Sequence, residues 1–541
     1  MKKENTLIWV LILLFAVMMS IPFLVPGTGF IALFGLIPLL CMERIADLCG
    51  KKKVWIYHYS AFVLWNTITT FWVCNATVGG GIFAILANSL QMSLVFGLFR
   101  WSKKHFRGAL PYIFLAVTWI AWERFYFDAE ISWPWLVLGN AFARTTWAIQ
   151  WYEFTGTLGG SLWIWATNLS IFGFMTSLSE GKWNRWNIKA KVAAIIGTIL
   201  LFCLPVTTSL FIGSKYDGSM EADKALPVVI VQPNIDPYNK FQAMSQEQQN
   251  AILLSQAEKA ISHRKGDSTA GPLLVLAPET FTGDIICENY QRSLTWRRFT
   301  NFLKEYPGVN LLFGASSREY LYTDKAPSHT ARKVNNNLWV ESHNSALVTD
   351  GSGRTEIFHK SRLVVAVEKT PYPAIFCKID DLLGGVMGRC IGQEKISLLN
   401  IADNQGNATP VGCAVCYESV YGEYYTGYIH AGAQAMTIIT NDAWWGNTPG
   451  YRQHLSYASL RAIETRRAIA RCANTGISAI ISPKGEIVSK TPWWKPAILQ
   501  GTLPLRDDVT FFVAHGDITG RICTFLFCLL FLSLIVRRLS R

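Results

Sequence analysis

What most constrains this chain is a series of apolar segments with no polar face to turn toward water. Stretches near the length needed to cross a hydrocarbon core of about 30 Å lie at 7–24, 29–42, 54–73, 80–99, 110–122, 160–178 and 192–212, and an eighth lies at 518–536. The second and fifth are short and need tilt or neighbouring helices to complete them. A chain of 541 residues that is half apolar and carries 21 tryptophans is too apolar for ordinary soluble domains. A polytopic α-helical membrane bundle of about seven spans is therefore expected over residues 1–212, with a C-terminal span and basic tail at 518–541. The first segment follows a charged start, but its apolar run exceeds a signal-peptide core and no small-x-small site follows it, so it is expected to be retained.

Charge orients the bundle, because short loops rich in Lys and Arg stay cytoplasmic. The N-terminus, the loops at 43–53, 100–108 and 179–191 and the tail after Val536 hold 17 basic residues against Glu4, Glu43, Asp47 and Glu180, which accounts for the whole net charge of +13. The rest of the chain balances. The basic pI thus reports topology and gives no support to a nucleic-acid reading, which needs a basic patch on a folded face. Seven spans from an inside N-terminus place residues 213–517 outside the cytoplasm.

Within 213–517 the pattern changes to short buried strands alternating with amphipathic helices, an α/β domain. Strands are expected at 226–235, 272–280, 308–317, 409–418 and 433–442, a strand pair joined through an Asp-Gly turn at 336–360, and helices at 246–266 and 457–476. Three strand ends deliver chemistry-capable side chains: Glu279 in "LAPET", Lys360 in "FHK" and Cys416 in "AVCYE". Residues just past the carboxyl ends of strands line the crevice of an open α/β sheet, so the three can converge. Taken singly, each reads as a helix cap, a surface charge and a small buried hydrophobe.

Cys413 and Cys416 have the spacing of a redox pair or half a metal clip. On a strand they point to opposite faces, and no second Cys pair or well-spaced His pair supplies the remaining ligands of a zinc site. Cys413 is expected in the core and Cys416 exposed at the strand end.

Together, "PET" with Glu279, "HKSRLV" with Lys360, "CYE" with Cys416 and "TNDAWWG" at 440–446 resemble the nitrilase superfamily, and within it the apolipoprotein N-acyltransferase family. The resemblance extends to "SWPWLVLGN" (132–140) and to 464–487, and so covers nearly the whole chain. It implies an αββα sandwich at 213–517 between a seventh and an eighth span, with Glu279 as general base, Lys360 as oxyanion stabiliser and Cys416 as nucleophile. Glu368, Tyr417 and Glu418 are implied as supporting residues, the two glutamates orienting either Lys360 or the amine, and Phe241, Asn441 and Trp444 as substrate-binding, with Trp444 in the core. The sequence departs from the family where Val365 and Val367 replace a Pro and a Gly before Glu368, and where Phe241 replaces a Trp.

The implied reaction is ping-pong transfer of an acyl chain from a membrane phospholipid to the α-amino group of diacylglyceryl-cysteine in an apolipoprotein. A membrane-tethered amidase or esterase passing the acyl group to water is the alternative; a non-enzymatic transporter is disfavoured by the scarcity of charges within the spans. No cofactor or metal is implied, a monomer is expected, and the setting is the bacterial cytoplasmic (inner) membrane with the catalytic domain on the outer face. The segment 370–390 reads either as a mobile loop resting on the bilayer or as a packed loop. A Cys377–Cys390 disulfide at its base is a further expectation.

Overall fold

The computed structural model describes residues 2–216, 218–220, 224–237, 240, 243–382 and 387–540. The chain forms two compact units, one of Met1–Asp217, Thr448–Leu460 and His515–Arg541, the other of Gly218–Asn447 and Arg461–Ala514.

The first unit is helical. Among the described residues, Lys3–Leu24, Gly29–Leu48, Val78–Ser102, Ile188–Lys215 and Ile518–Leu539 are long and apolar enough to cross a membrane. The other three expected spans are helices as well, at Val54–Thr70, Leu110–Asp128 and Tyr152–Ser179. These carry buried Asn66, Glu123 and Asn168, which lower their hydropathy and bond within the unit. Asn66 Oδ1 accepts from Asn88 Nδ2 at 2.7 Å. Asn168 sutures a helix break, its Oδ1 accepting from Leu36 N and its Nδ2 donating to Ala32 O, both at 2.9 Å. A side chain thereby satisfies backbone groups that lipid cannot. The 132–140 segment is buried, with Leu138 N donating to Glu123 Oε1 at 2.8 Å and Gly139 N to Ser161 Oγ at 3.0 Å.

The second unit holds two sheets. Its strands are β1 (Ala225–Gln232), β2 (Leu273–Leu276), β3 (Thr282–Ile286), β4 (Val309–Tyr322), β5 (Arg332–Lys333), β6 (Leu338–Asp350), β7 (Thr355–His359), β8 (Leu399–Ala402), β9 (Ala408–Val415), β10 (Ala435–Thr440), β11 (Ile469–Ala473), β12 (Ala479–Ile481), β13 (Ile487–Lys490) and β14 (Ala497–Pro504). One sheet runs β14-β1-β2-β4-β6-β5, with β3 on β4 and β7 on β6; the other runs β13-β12-β11-β10-β9-β8. The helix Gln246–Ile261 opens with a capping box between Ser245 and Gln248 and lays Leu253, Ala257 and Ile261 on a core shared with Val231, Val275 and Phe313.

One expectation fails here. The helix expected over 457–476 is instead the C-terminal half of a helix at Pro449–Thr465, and 469–473 is strand β11. Arg466 takes a left-handed conformation (φ 50°) that ends the helix, and β11 then pairs in parallel with β10. Apolar spacing cannot distinguish the two forms where both faces are buried.

Candidate active site

Glu279 lies past β2 in the segment that Gly314 supports from the neighbouring strand. A Cβ on Gly314 would stand 2.5 Å from Thr280 N and 2.6 Å from Glu279 Cα, so only glycine lets the two backbones approach. The Glu279 carboxylate is buried. Its Oε1 accepts from Asn344 Nδ2 at 2.8 Å and Lys360 Nζ at 3.2 Å, and its Oε2 accepts from Asn441 N at 3.0 Å.

Lys360 follows β7, its N–H donating to Asn344 O at 2.8 Å. Its fully buried Nζ also donates to Glu368 Oε1 at 2.9 Å. Burial opposes the ammonium charge, but Glu368 and then Glu279 outweigh it and hold the pKa well above the usual lysine value. Glu368 is itself fixed, because Oε2 accepts from Val364 N at 2.7 Å within a tight turn and Oε1 also accepts from Asn344 at 2.6 Å. Despite Val365 and Val367, the turn places this glutamate on the lysine, with Ala366 supplying the left-handed residue at φ 67°.

Cys416 follows β9 and is left-handed, at φ 52°. A non-glycine residue there is strained and is held by its surroundings. Its Sγ lies 3.2 Å from Thr440 Oγ1, which is 2.8 Å from Asp442 Oδ1, and Asp442 pairs with buried Arg471 at 2.6 Å. Burial and then the Glu279 charge push the thiol well above its ordinary range, while Lys360 pulls the other way. Burial and the Glu279 charge thus favour the thiol over the thiolate. Cys413 is buried in the core, and burial raises its thiol to about 12. The cysteines are free thiols.

Glu418 does not bond Lys360. Its Oε1 accepts from Ser361 N (2.7 Å), Arg362 N (3.2 Å) and Tyr424 OH (2.8 Å), and its Oε2 from Val415 N (2.7 Å). It thereby ties the residue after Lys360 to the residue before Cys416. Tyr417 is buried edge-on against Tyr421, with ring centroids 5.2 Å apart.

Of the expected substrate-binding residues, Asn441 is buried and its N–H is committed to Glu279. Trp444 is 38% exposed, not in the core, because the turn Asp442–Trp445 buries Asp442 and Ala443 instead. Phe241 lies outside the described residues. Asn344, which bridges both carboxylates, was missed from sequence, as was Lys240. The Lys240 Nζ donates to Thr280 O, and burial lowers its ammonium to about 8 against the pull of Glu279. Neither lies in a motif that marks it.

The segment 370–390 is not an aperiodic loop. It contains the helix Pro373–Leu382, which buries Cys377 and Asp380 and exposes Ile375, Phe376, Ile379 and Leu382. Cys377 and Cys390 are not bridged. Arg389 closes the segment, pairing with Asp380 at 2.7 Å and Asp381 at 2.6 Å.

A buried carboxylate and ammonium and a partly buried thiol stand at strand ends, in a chain that also carries apolar spanning-length helices, and the comparisons with known proteins give the class: an acyltransferase of the nitrilase superfamily. Residues 274–508 match the Carbon-nitrogen hydrolase family, and residues 7–170 match the Apolipoprotein N-acyltransferase N-terminal domain. The two matches together cover most of the chain, as do relatives named apolipoprotein N-acyltransferase. It is 28% identical over 511 residues to an apolipoprotein N-acyltransferase of Chlorobaculum tepidum, covering 91% of this chain and 89% of that one. It is 25% identical over 532 residues to one of Geobacter metallireducens, covering 95% and 93%. Among solved structures, Nit3 of Saccharomyces cerevisiae, a nitrilase-superfamily member, aligns at 14% identity with a TM-score of 0.37, covering 56% of this chain and 99% of that one.

Proposed function

We propose that this protein moves an acyl chain from a membrane phospholipid, through a thioester on Cys416, to the α-amino group of a diacylglyceryl-cysteine at an apolipoprotein N-terminus. The observation that carries the reading is the buried Lys360 ammonium between Glu279 and Glu368, whose charge acts on the Cys416 thiol.

Glu279 takes the Sγ proton as sulfur attacks the sn-1 ester carbonyl, so the thiolate forms only on demand. Lys360 and the N–H of Tyr417 stabilise the oxyanion of the tetrahedral intermediate. Collapse expels the lysophospholipid alkoxide, which takes the proton back from Glu279 and leaves acyl-Cys416. The amine then attacks the thioester carbon, Glu279 accepts its proton, and the departing thiolate is reprotonated. Glu368 holds Lys360, and Glu418 holds the backbone on either side of the pair. The helical unit sits in the bacterial cytoplasmic membrane with the catalytic unit on its outer face, where lipid donor and acceptor both arrive.

Mass spectrometry of the purified protein with phospholipid tests this. An acyl adduct on Cys416 that is discharged by a diacylated lipopeptide, with gain of the third chain on the peptide, is the expected result. A wild-type protein that never carries the adduct, or a Cys416→Ala variant that still makes triacylated product, refutes the mechanism. An adduct discharged to free fatty acid at the same rate with or without lipopeptide identifies a hydrolase instead.

A further inference from the structure

Away from the Glu279–Lys360–Cys416 cluster, β4 and β6 bring three acceptors together. Glu319 pairs directly with Glu341 in the antiparallel register, and His343 pairs with Ser317 two residues along on the same face. One ligand atom from each of Glu319, Glu341 and His343 lies within 4.8 Å of the others. Two carboxylates directly opposed across a strand pair repel one another, and Glu341 and His343 are only 7% and 6% exposed.

The hydrogen bonding is unbalanced. His343 Nδ1 lies 2.9 Å from Ile391 O, and a carbonyl only accepts, so Nδ1 carries the hydrogen. In the neutral ring Nε2 is then a lone pair facing two carboxylates. Neither His343 Nε2 nor Glu341 Oε1 has a hydrogen-bond partner, although both are buried. A proton on Nε2 does not resolve this: Glu319 Oε2 is 3.6 Å away, beyond hydrogen-bond reach, and Glu341 Oε1 stays unpaired. A metal cation resolves all three. A tetrahedral site with bonds of about 2.0–2.1 Å sets neighbouring ligand atoms about 3.4 Å apart, close to the 3.6 Å between Nε2 and Glu319 Oε2.

We propose that Glu319, Glu341 and His343 form a binding site for a divalent transition cation of the Zn²⁺ type. One imidazole and two carboxylates suit that ion, and the backbone carbonyl on Nδ1 is the outer partner that fixes the tautomer of metal-ligating histidines. The His359 ring stacks on His343 at 4.1 Å and walls one side. Glu319, whose side chain is 37% exposed, forms the solvent-side mouth, where water completes the coordination. The next residue after His343 is Asn344, which holds Glu279 and Glu368. The cation thus clamps the strand that positions the base, from the opposite face of the sheet.

The test uses the full-length protein in detergent, stripped with a chelator and titrated with Zn²⁺ alone, reading metal content and the midpoint of thermal unfolding. Wild type is expected to retain one equivalent and unfold at higher temperature with Zn²⁺. His343→Ala and Glu341→Gln are expected to weaken binding by about 100-fold or more, beyond the ~10–100-fold that outer-shell changes cost. Glu319→Gln, at the exposed mouth, leaves the fold intact and is expected to weaken binding as well. Co²⁺ in place of Zn²⁺ should absorb in the visible without the thiolate charge-transfer band that cysteine ligation gives. No retained metal in wild type, equal affinity in wild type and Glu319→Gln, or a thiolate band each overturns the proposal.

Discussion

The Lys360 ammonium lies nearer to Glu368, at 2.9 Å, than to Glu279, at 3.2 Å. The carboxylate proposed as the base is therefore not the one that lies closest to the lysine. Glu368→Gln should keep the turn and still leave Lys360 beside Glu279, so acyl-Cys416 is expected to accumulate at a rate reduced by about tenfold, one oriented charge–charge hydrogen bond being worth ~1.5 kcal/mol or more. Lys360→Ala removes oxyanion stabilisation and should slow both half-reactions by about 10²–10³. Time-resolved mass spectrometry of the adduct separates the two, and equal loss in both variants would assign Glu368 a direct part in acylation.

Reactivity of Cys416 toward iodoacetamide should rise continuously past pH 9, with no plateau between pH 5 and 8. Burial and the Glu279 charge hold the thiol well above its ordinary range, so the thiolate population grows with pH throughout that interval. Glu279→Gln removes one of the three upward influences, the others being burial and the Asp442 charge. It should speed alkylation at a given pH while nearly abolishing acylation from phospholipid. A plateau below pH 7 in wild type would mean a preformed thiolate, and a different first step.

Glu418 is buried with both oxygens on backbone N–H groups of Ser361, Arg362 and Val415. Glu418→Ala strands these donors, at about 1–3 kcal/mol for each buried group left unsatisfied. The variant should unfold several degrees lower in a thermal scan and lose acylation as Ser361 and Val415 separate. Glu418→Gln keeps an acceptor and should recover part of both. Full stability in the alanine variant would remove Glu418 from the supporting role given it above.

Reporter fusions after residues 50, 105, 185 and 541 should read cytoplasmic, and one in an exposed loop of 213–517 should read external. The motive is that the chain's whole net charge of +13 lies in the segments assigned inside. A cytoplasmic reading for the large unit would separate the site from the outer-face substrates proposed for it.

Much of this molecule was legible in the sequence because the deciding signals are local. Span-length apolar runs and the motifs around Glu279, Lys360 and Cys416 are contiguous, and the turn 364–369 keeps Glu368 on Lys360 although its sequence departs from the family. Other features were not legible. The helix expected at 457–476 gives way to β11 because a buried strand and a buried helix share apolar spacing. Trp444 sits in a family motif yet is 38% exposed, while Asp442, two residues earlier, is buried against Arg471.

By itself, the sequence determined the class of both units and the order in which the chain presents the residues proposed to carry the chemistry. Only the tertiary structure decided what each charged group faces. Asn344 reaches two carboxylates from a strand with no motif, Glu418 binds backbone rather than the lysine, and Glu319, Glu341 and His343 meet across a strand pair. Hydrogen-bond partners are fixed by strand register and by which face each residue takes, and residues far apart in the chain acquire these only when the sheets assemble.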